Sequence, residues 1–249
     1  MKRLHRKHLL AALAALTLGV AAPALAYVLP ATAIFELFAS QREKLKSDNQ
    51  QVGGRLVITD AAGVRTVLPA THTLRFPGDC RFEIDEDGVA GELGGTHVIV
   101  RDGKLIAKAA GKLALLDELV SLACPVLSIK ELGAEKLDAL AKRWKIDLAY
   151  SGLSRLDDRM VYVVGAKPSE VEKPSIWFDK EKLLPVQVRT KSGEQLLELR
   201  MTGFNDPATG ELHPREIQLR VDGKLRARFV AERLEQNLDL DPKLFKPAS

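Results

Sequence analysis

The chain has 249 residues, of which 46% are hydrophobic and 28% are charged, so it is long and apolar enough for one domain with a sizeable core. Its formal net charge of +4 comes entirely from four Lys and Arg residues among the first 26 positions, and the remaining chain carries 33 basic and 33 acidic residues. This balance excludes the strongly basic surface that nucleic-acid-binding proteins use, so we expect no nucleic-acid partner.

The N-terminal segment has the three parts of a secretory signal peptide. A basic stretch, residues 2–7, precedes an apolar stretch from Leu9 to Val20, and Ala24-Leu25-Ala26 is a small-residue cleavage site. Pro23 interrupts the apolar stretch before it reaches the roughly twenty residues that a membrane anchor needs. We therefore predict that residues 1–26 are a signal peptide that is cleaved after Ala26.

Cleavage would leave a single soluble domain, residues 27–249, in the periplasm. The new N-terminal residue, Tyr27, is not a cysteine, so the mature protein is not expected to be lipidated itself. Its two cysteines, Cys80 and Cys124, enter an oxidising compartment, which favours a disulfide between them. Such a bond would contribute about 4 kcal/mol by the loop-entropy estimate. Two buried thiols are the alternative that the sequence leaves open.

The first half of the mature chain is predicted to be one helix followed by short strands. Apolar residues such as Leu37 recur at helical spacing between residues 34 and 45, and Arg42 lies with other polar residues on the opposite side. The segment from Gln50 to Gly54 would end this helix, and Pro69 would separate two of the strands that follow. The strand candidates are Arg55 to Thr59, Val64 to Leu68, Thr71 to Phe76, Cys80 to Asp85, Thr96 to Arg101 and Lys104 to Lys108.

Two helices are predicted in the middle of the chain. From Leu113 to Ala123 almost every residue is apolar, and Pro125 would stop the helix soon afterwards. A helix this apolar must be nearly buried, or must cover another apolar surface. The second helix, from Ala134 to Lys145, has one apolar face and an ordinary solvated face.

The C-terminal third, from Pro174 to Glu235, alternates apolar and polar residues over four consecutive runs, after two further strands at Asp147 to Arg155 and Met160 to Gly165. This period of two predicts an antiparallel sheet with one apolar face and one wet face. The apolar face would hold Leu184, Val186, Val188, Leu197, Leu199, Met201, Ile217, Leu219, Val221, Leu225, Ala227 and Phe229.

The turn between the last two runs is predicted to be a three-residue loop, Val221-Asp222-Gly223. An odd number of loop residues keeps Leu219 and Leu225 on the same face, with Arg220 opposite Lys224. A two-residue Asp-Gly turn would break that continuity.

Several short sequence motifs occur at corresponding places in this order of elements. They are Gly54-Arg55-Leu56, Pro77-Gly78 before Arg81-Phe82-Glu83, Asp102-Gly103-Lys104, Trp177-Phe178-Asp179, Leu184-Pro185-Val186 and the ending from Asn237 to Phe245. Together they resemble the periplasmic lipoprotein carriers of the LolA/LolB-like superfamily, which sort outer-membrane lipoproteins. The resemblance implies an α+β fold that is mainly antiparallel β: an unclosed half-barrel of about eleven strands, with helices capping a concave face that holds acyl chains.

The lipid-binding residues that the resemblance implies lie on the apolar middle helix, acting as a lid, and on the apolar face of the C-terminal strands. They are Leu115, Leu116, Leu119, Val120, Leu122, Trp177, Val186, Val188, Leu197, Leu199, Ile217 and Leu219. Acyl chains would displace the helix from the sheet, and a Cys80–Cys124 bond would fasten the C-terminal end of the helix to a strand. These motifs do not identify an arginine that would hold the lid helix closed.

The sequence contains no recognisable catalytic machinery. It has no nucleophile, zinc-protease or phosphate-loop motif, and His72, His97 and His213 have no metal-ligand spacing, so each is interpreted as a surface or strand histidine. We therefore expect no enzyme activity, cofactor or metal.

Three functions remain open at this stage. The first is a monomeric carrier of lipid or lipoprotein acyl chains that meets a membrane-bound donor and acceptor. The second is a lipid-responsive or protein-binding regulator of the RseB-like kind, which does not transport. The third is an interaction module whose hollow is filled by its own side chains.

Overall fold

The computed structural model describes residues 28–44, 46–86, 90–109, 113–128, 134–211 and 213–247, and the expected signal peptide with its cleavage site at Ala26 lies outside them. The helices are α1 (Ala31–Glu43), α2 (Ala114–Leu127) and α3 (Ala134–Arg143). The strands are β1 (Asn49–Thr59), β2 (Arg65–Arg75), β3 (Asp79–Ile84), β4 (His97–Arg101), β5 (Lys104–Ala107), β6 (Asp147–Leu156), β7 (Arg159–Gly165), β8 (Ser175–Asp179), β9 (Pro185–Ser192), β10 (Gln195–Thr202), β11 (Glu216–Val221) and β12 (Lys224–Gln236).

All twelve strands form one sheet in the order β5-β4-β3-β2-β1-β12-β11-β10-β9-β8-β7-β6. Each strand pairs antiparallel with its neighbours, and the outermost strands, β5 and β6, do not pair with each other. The predicted α+β half-barrel is therefore confirmed, with twelve strands where about eleven were expected. The two halves of the chain meet at the β1–β12 pair.

Alternation along the strands places the core on one face of this sheet. In β11 the side chains of Ile217, Leu219 and Val221 are buried, while the residues between them are half-buried. The same pattern in β3 buries Cys80 and Phe82. Helices α1 and α2 supply the other side of the core.

The prediction of two strands separated by Pro69 is wrong, because β2 runs through this proline. The backbone carbonyl of Pro69 accepts from the N–H of Asp85, on the β3 side. The N–H and C=O of one residue in an antiparallel strand point the same way, so the missing N–H of Pro69 also faces Asp85, one residue past the end of β3 at Ile84. The proline therefore removes one hydrogen bond, at the very end of the β2–β3 ladder.

The segment from Gln50 to Gly54, predicted to end the first helix, is instead part of β1. A β-bulge lies between Gly53 and Gly54. A Cβ atom added to Gly54 would lie 2.2 Å from the backbone oxygen of Val230, so the close approach of β12 requires glycine at this position.

Two predictions about the helices also need correction. Pro125 does not stop α2, which continues to Leu127; the N–H of Ser128 then bonds to the Cys124 carbonyl at 2.9 Å. In α1 the predicted buried and exposed faces are partly wrong: Arg42, expected on the polar side, is 2% exposed, and Leu37, expected on the apolar side, is 42% exposed.

The last hairpin uses the two-residue Asp222-Gly223 turn, so the predicted three-residue loop is wrong. Both turn residues have positive φ, 49° and 77°, and Val221 pairs with Lys224. A register shift between Leu219 and Arg220 then restores the apolar face, because Leu219 pairs with Ala227. The bulge lies in the strand rather than in the turn.

Candidate functional site

Helix α2, which we call the lid helix (Ala114–Leu127), lies across the concave face of the sheet. It contacts β3, β4 and β5 from the first half of the chain and β10, β11 and β12 from the second. Leu116, Leu119 and Val120 are at most 1% exposed, and half-buried Leu115 packs against the same core. The expectation that so apolar a helix must be buried against an apolar surface is confirmed.

Most of the residues predicted to bind lipid meet between the lid helix and the sheet. They belong to one continuous cluster: Leu115, Leu116, Leu119, Val120, Leu122, Val188, Leu197, Leu199, Ile217 and Leu219. The lid and the C-terminal strands therefore form a single apolar interface.

Trp177 and Val186 do not join this interface. They form a separate cluster with Val161 and Val163, and Trp177 pairs with Val163 across β7 and β8. Successive residues of a strand point to opposite faces, so this cluster lies on the other face of the sheet.

The separation of Val186 from Val188 follows from a register shift. Trp177 pairs with Gln187, but the next residue, Phe178, pairs with Pro185, which leaves Val186 in a bulge. Alternation along this run is broken, so the prediction that Leu184, Val186 and Val188 share one face is wrong.

Two pairs of aromatic side chains belong to the same core cluster, and none of the four was among the predicted lipid-binding residues. Phe82 of β3 and Phe229 of β12 stack edge to face with ring centres 5.1 Å apart. Phe38 of α1 packs against Phe178 of β8 at 5.2 Å. The sequence did contain a signal for these four residues, because each lies at the spacing of the apolar residues in its helix or strand.

The C-terminal end of the lid helix is fastened to both the sheet and α1. The predicted disulfide is confirmed: Cys80 of β3 and Cys124 of the lid are bonded, with Cα atoms 5.8 Å apart. Buried Arg42 of α1 donates from Nη2 to the carbonyl oxygen of Leu127, and burial lowers the pKa of Arg42 to about 10. The guanidinium thus meets the negative end of the helix dipole.

The N-terminal half of the lid helix is held by polar contacts nearer the surface. The carboxylate of Asp117 accepts from the N–H of Ala109 at 2.8 Å, and Ser192 donates to the carboxylate of Glu118 at 2.9 Å. Partial burial raises the pKa of Asp117. Both contacts are part-buried, so water can compete for them more readily than for the buried contact of Arg42 at the other end.

Two histidines assigned to surface or strand positions come together in the core, beneath the C-terminal end of the lid. His72 and His213 are fully buried, with the Nδ1 of His72 3.0 Å from the Nε2 of His213. Burial lowers the pKa of His72 well below its usual value, and that of His213 to about 4. Sequence spacing gave no sign of this pair, because 141 positions separate them.

Among helices in the described ranges, none combines the length and apolarity needed to cross a membrane. Neither a protein-family model nor a curated protein matches this sequence. Similarity is found among solved structures.

A LolA superfamily protein from Nitrosomonas europaea is 16% identical, with a TM-score of 0.53 over 88% of this chain and 98% of that one. A domain named for outer membrane lipoprotein sorting, from Vibrio parahaemolyticus, is 11% identical, with a TM-score of 0.54 over 86% and 95% of the two chains. A DUF1329 family protein from Desulfovibrio piger is 12% identical, with a TM-score of 0.52 over 87% and 97%. Identities this low establish the fold alone: the chain shares the fold of this LolA superfamily protein, and here it is an open antiparallel half-barrel with an apolar helix across its concave face.

Proposed function

We propose that this protein is a soluble periplasmic carrier that binds the acyl chains of lipoproteins or other lipids and moves them between the inner and outer membranes. The observation that carries the proposal is the lid helix, whose apolar side chains cover the concave face of an open half-barrel. The name of the similar Vibrio domain, which refers to outer membrane lipoprotein sorting, supports the same role.

Binding begins, in this proposal, at the N-terminal half of the lid helix. Its C-terminal end is held by the Cys80–Cys124 bond and by Arg42. The other end is held by the contacts of Asp117 and Glu118, which water can replace. The helix therefore pivots about its fastened end and uncovers Leu197, Leu199, Ile217 and Leu219.

The energetics of this exchange are nearly balanced. An acyl chain that replaces the lid supplies apolar contacts of the same kind as those it removes, and each methylene that it buries contributes about 0.8 kcal/mol. The same chain exposed to water would be very unfavourable. A carrier needs this balance, because a ligand held much more tightly than by the membrane would not be delivered.

The proposed lipid-binding set consists of the predicted residues on the concave face. Trp177 and Val186, on the opposite face, are not included. We place the protein in the periplasm on the grounds of the predicted signal peptide, ending at Ala26, and of the disulfide. The partners would be a membrane-bound donor and a membrane-bound acceptor, met by a monomer.

The first experiment is purification of the mature protein from the periplasm, followed by mass spectrometry of its organic extract. We expect acylated species in stoichiometric amounts. A core that is merely filled by its own side chains would yield none, and that result would end the proposal.

Two valine variants provide a matched comparison. Val120 on the lid and Val161 on the opposite face are each 1% exposed, so Val→Gln places the same polar group in equally buried positions. Val120→Gln should lower the bound acyl content several-fold, while Val161→Gln should retain it, with melting temperatures measured for both. Equal losses would mean that the concave face is not the site.

A transfer assay separates a carrier from the regulator that the sequence left open. The protein is loaded with a fluorescent triacylated lipopeptide from donor vesicles and then mixed with acceptor vesicles of phosphatidylethanolamine and phosphatidylglycerol. A carrier moves the label to the acceptor vesicles faster than they exchange it unaided. A regulator binds the lipopeptide and delivers none of it.

A further inference from the structure

Three potential metal ligands lie together beneath the C-terminal end of the lid helix. The Nε2 atom of His72 is 3.1 Å from the Sγ of Cys80 and 3.6 Å from the Sγ of Cys124. The ligand atoms of all three residues lie within 4.8 Å of one another, and all three residues are buried. His72 is on β2, Cys80 on β3 and Cys124 on the lid, so the group joins the sheet to the lid.

A chain of hydrogen bonds orients the imidazole of His72 toward the sulfur atoms. The Nδ1 of His213 is 2.8 Å from the carbonyl oxygen of Pro214, which can only accept, so this nitrogen carries the proton. The Nε2 of neutral His213 is then the acceptor for the Nδ1–H of His72, at 3.0 Å. The lone pair of His72 consequently lies on Nε2, the atom that faces the cysteines.

This arrangement is the one that metal-binding histidines use. A ligating imidazole almost always donates its other N–H to a fixed acceptor, which sets its tautomer and ring orientation. Here the acceptor is His213, itself fixed by Pro214.

We propose that, when the Cys80–Cys124 bond is reduced, His72, Cys80 and Cys124 bind one zinc-class metal ion through Nε2 and the two Sγ atoms. The reductant is a dithiol, which transfers two electrons and two protons to the disulfide and becomes a disulfide itself. Zinc then replaces the two thiol protons, which pass to solvent. A small exogenous ligand such as water completes the four-coordinate set.

The distances and charges both suit zinc. With Zn–N near 2.0 Å and Zn–S near 2.3 Å, tetrahedral geometry places nitrogen and sulfur about 3.5 Å apart, close to the two separations observed. Only the sulfur atoms must move apart, to about 3.8 Å. Two thiolates neutralise Zn²⁺, and a neutral site is far less costly to bury than a charged one.

Reduction and metal binding would change how the lid is held, whatever ligand the concave face binds. The disulfide fastens the lid covalently, and the zinc site would fasten it at the same point after reduction. In the reduced protein without metal, the bond of the lid to β3 would be absent and only noncovalent contacts, such as that of Arg42 with the Leu127 carbonyl, would hold that end. Reduction and metal together would thus set how firmly the lid is held.

The test uses the mature chain, reduced with a phosphine and titrated with Co²⁺. The thiolate charge-transfer bands and the tetrahedral d–d bands of bound Co²⁺ report its ligands. Zn²⁺ is then added as a competitor. We expect one equivalent of metal, protection of both thiols from titration, and no such bands in the oxidised protein. His72→Phe should weaken binding at least tenfold. His213→Phe, which keeps all three ligands, should weaken it by about 10–100-fold.

His97→Phe is the matched control, since His97 is a half-buried strand histidine outside the group, and it should bind as the unaltered protein does. Absence of cobalt–thiolate bands in the reduced protein, or equal affinity in His72→Phe, would overturn the proposal. If reduction alone unfolds the chain, recovery of its far-UV circular dichroism on addition of Zn²⁺ becomes the measurement, and failure to recover has the same meaning.

Discussion

Arg42 shows how one side chain determines the strength of the lid's attachment. Arg42→Met keeps the apolar stem but removes the donor to the Leu127 carbonyl. A buried carbonyl left without its donor costs about 1–3 kcal/mol, so we expect the free energy of unfolding to fall by that amount in urea denaturation. Arg55→Met, at an arginine whose side chain is 62% exposed and paired with Glu232, should change it by less than about 1 kcal/mol. Similar losses in both variants would contradict this role for Arg42.

The buried histidines predict how stability depends on pH. The folded protein holds His72 and His213 neutral, whereas the unfolded chain protonates them near the usual pKa of about 6.5. Their depressed pKa values therefore give stability that is present above pH 6.5 and is lost as the pH falls towards 4, where His213 takes up its proton. From His213 alone we expect a loss of roughly 2 kcal/mol between pH 7.5 and pH 5.

Unfolding in urea at a series of pH values measures this dependence. His213→Gln should flatten the curve, because it removes a group whose protonation differs between the folded and unfolded states. His97→Gln should leave the decline in place. If the free energy of unfolding of His213→Gln fell by the same amount as the pH was lowered, other titrating groups would be responsible for the decline.

The lid helix, as an element, is predicted to open from its N-terminal half. Hydrogen exchange of the oxidised protein should therefore be faster at Leu116 to Val120 than at Ala123 to Leu127. Replacing Cys80 and Cys124 together by serine should raise exchange at the second segment and lower the free energy of unfolding by up to about 4 kcal/mol. Uniform exchange along the lid in the oxidised protein would rule out the pivot.

The elements also show which parts of the fold can be predicted from the sequence. The lid and β11 are decided by their own apolar patterns, so β11 and the start of the lid were predicted close to their observed bounds, whereas the lid continues past Pro125 to Leu127. The role of Pro69 depends on where a neighbouring strand ends, and that of Gly54 on how closely β12 approaches. Both roles are set by how strands pair, so they cannot be predicted from the sequence of the segment alone.

The candidate site divides in the same way. The disulfide follows from cysteine count and compartment, and most of the proposed lipid-binding residues follow from alternation. Arg42 looks like a solvated helix residue until α1 is docked beside the lid. His72 and His213 meet only because β2 and the segment after β10 converge beneath the lid.

At the scale of the whole molecule, the lid spans two halves of the sheet whose strands pair with each other at β1 and β12. It contacts β3 to β5 on one side and β10 to β12 on the other. Displacing it would remove contacts from both halves at once, unless a ligand takes its place. Ligand binding should therefore affect overall stability and lid protection in opposite directions.

The opposite changes expected in overall stability and in lid protection test the carrier proposal without knowledge of the natural lipid. A lysophospholipid below its micellar concentration, present at 100 times its Kd, should stabilise the fold by about 2.7 kcal/mol and raise the melting temperature. In the same solution, hydrogen exchange at Leu116 to Val120 should become faster, because the acyl chain occupies the surface that the lid has left. A filled core would show neither change. A rise in both stability and lid protection would mean that the lipid binds elsewhere and leaves the lid closed.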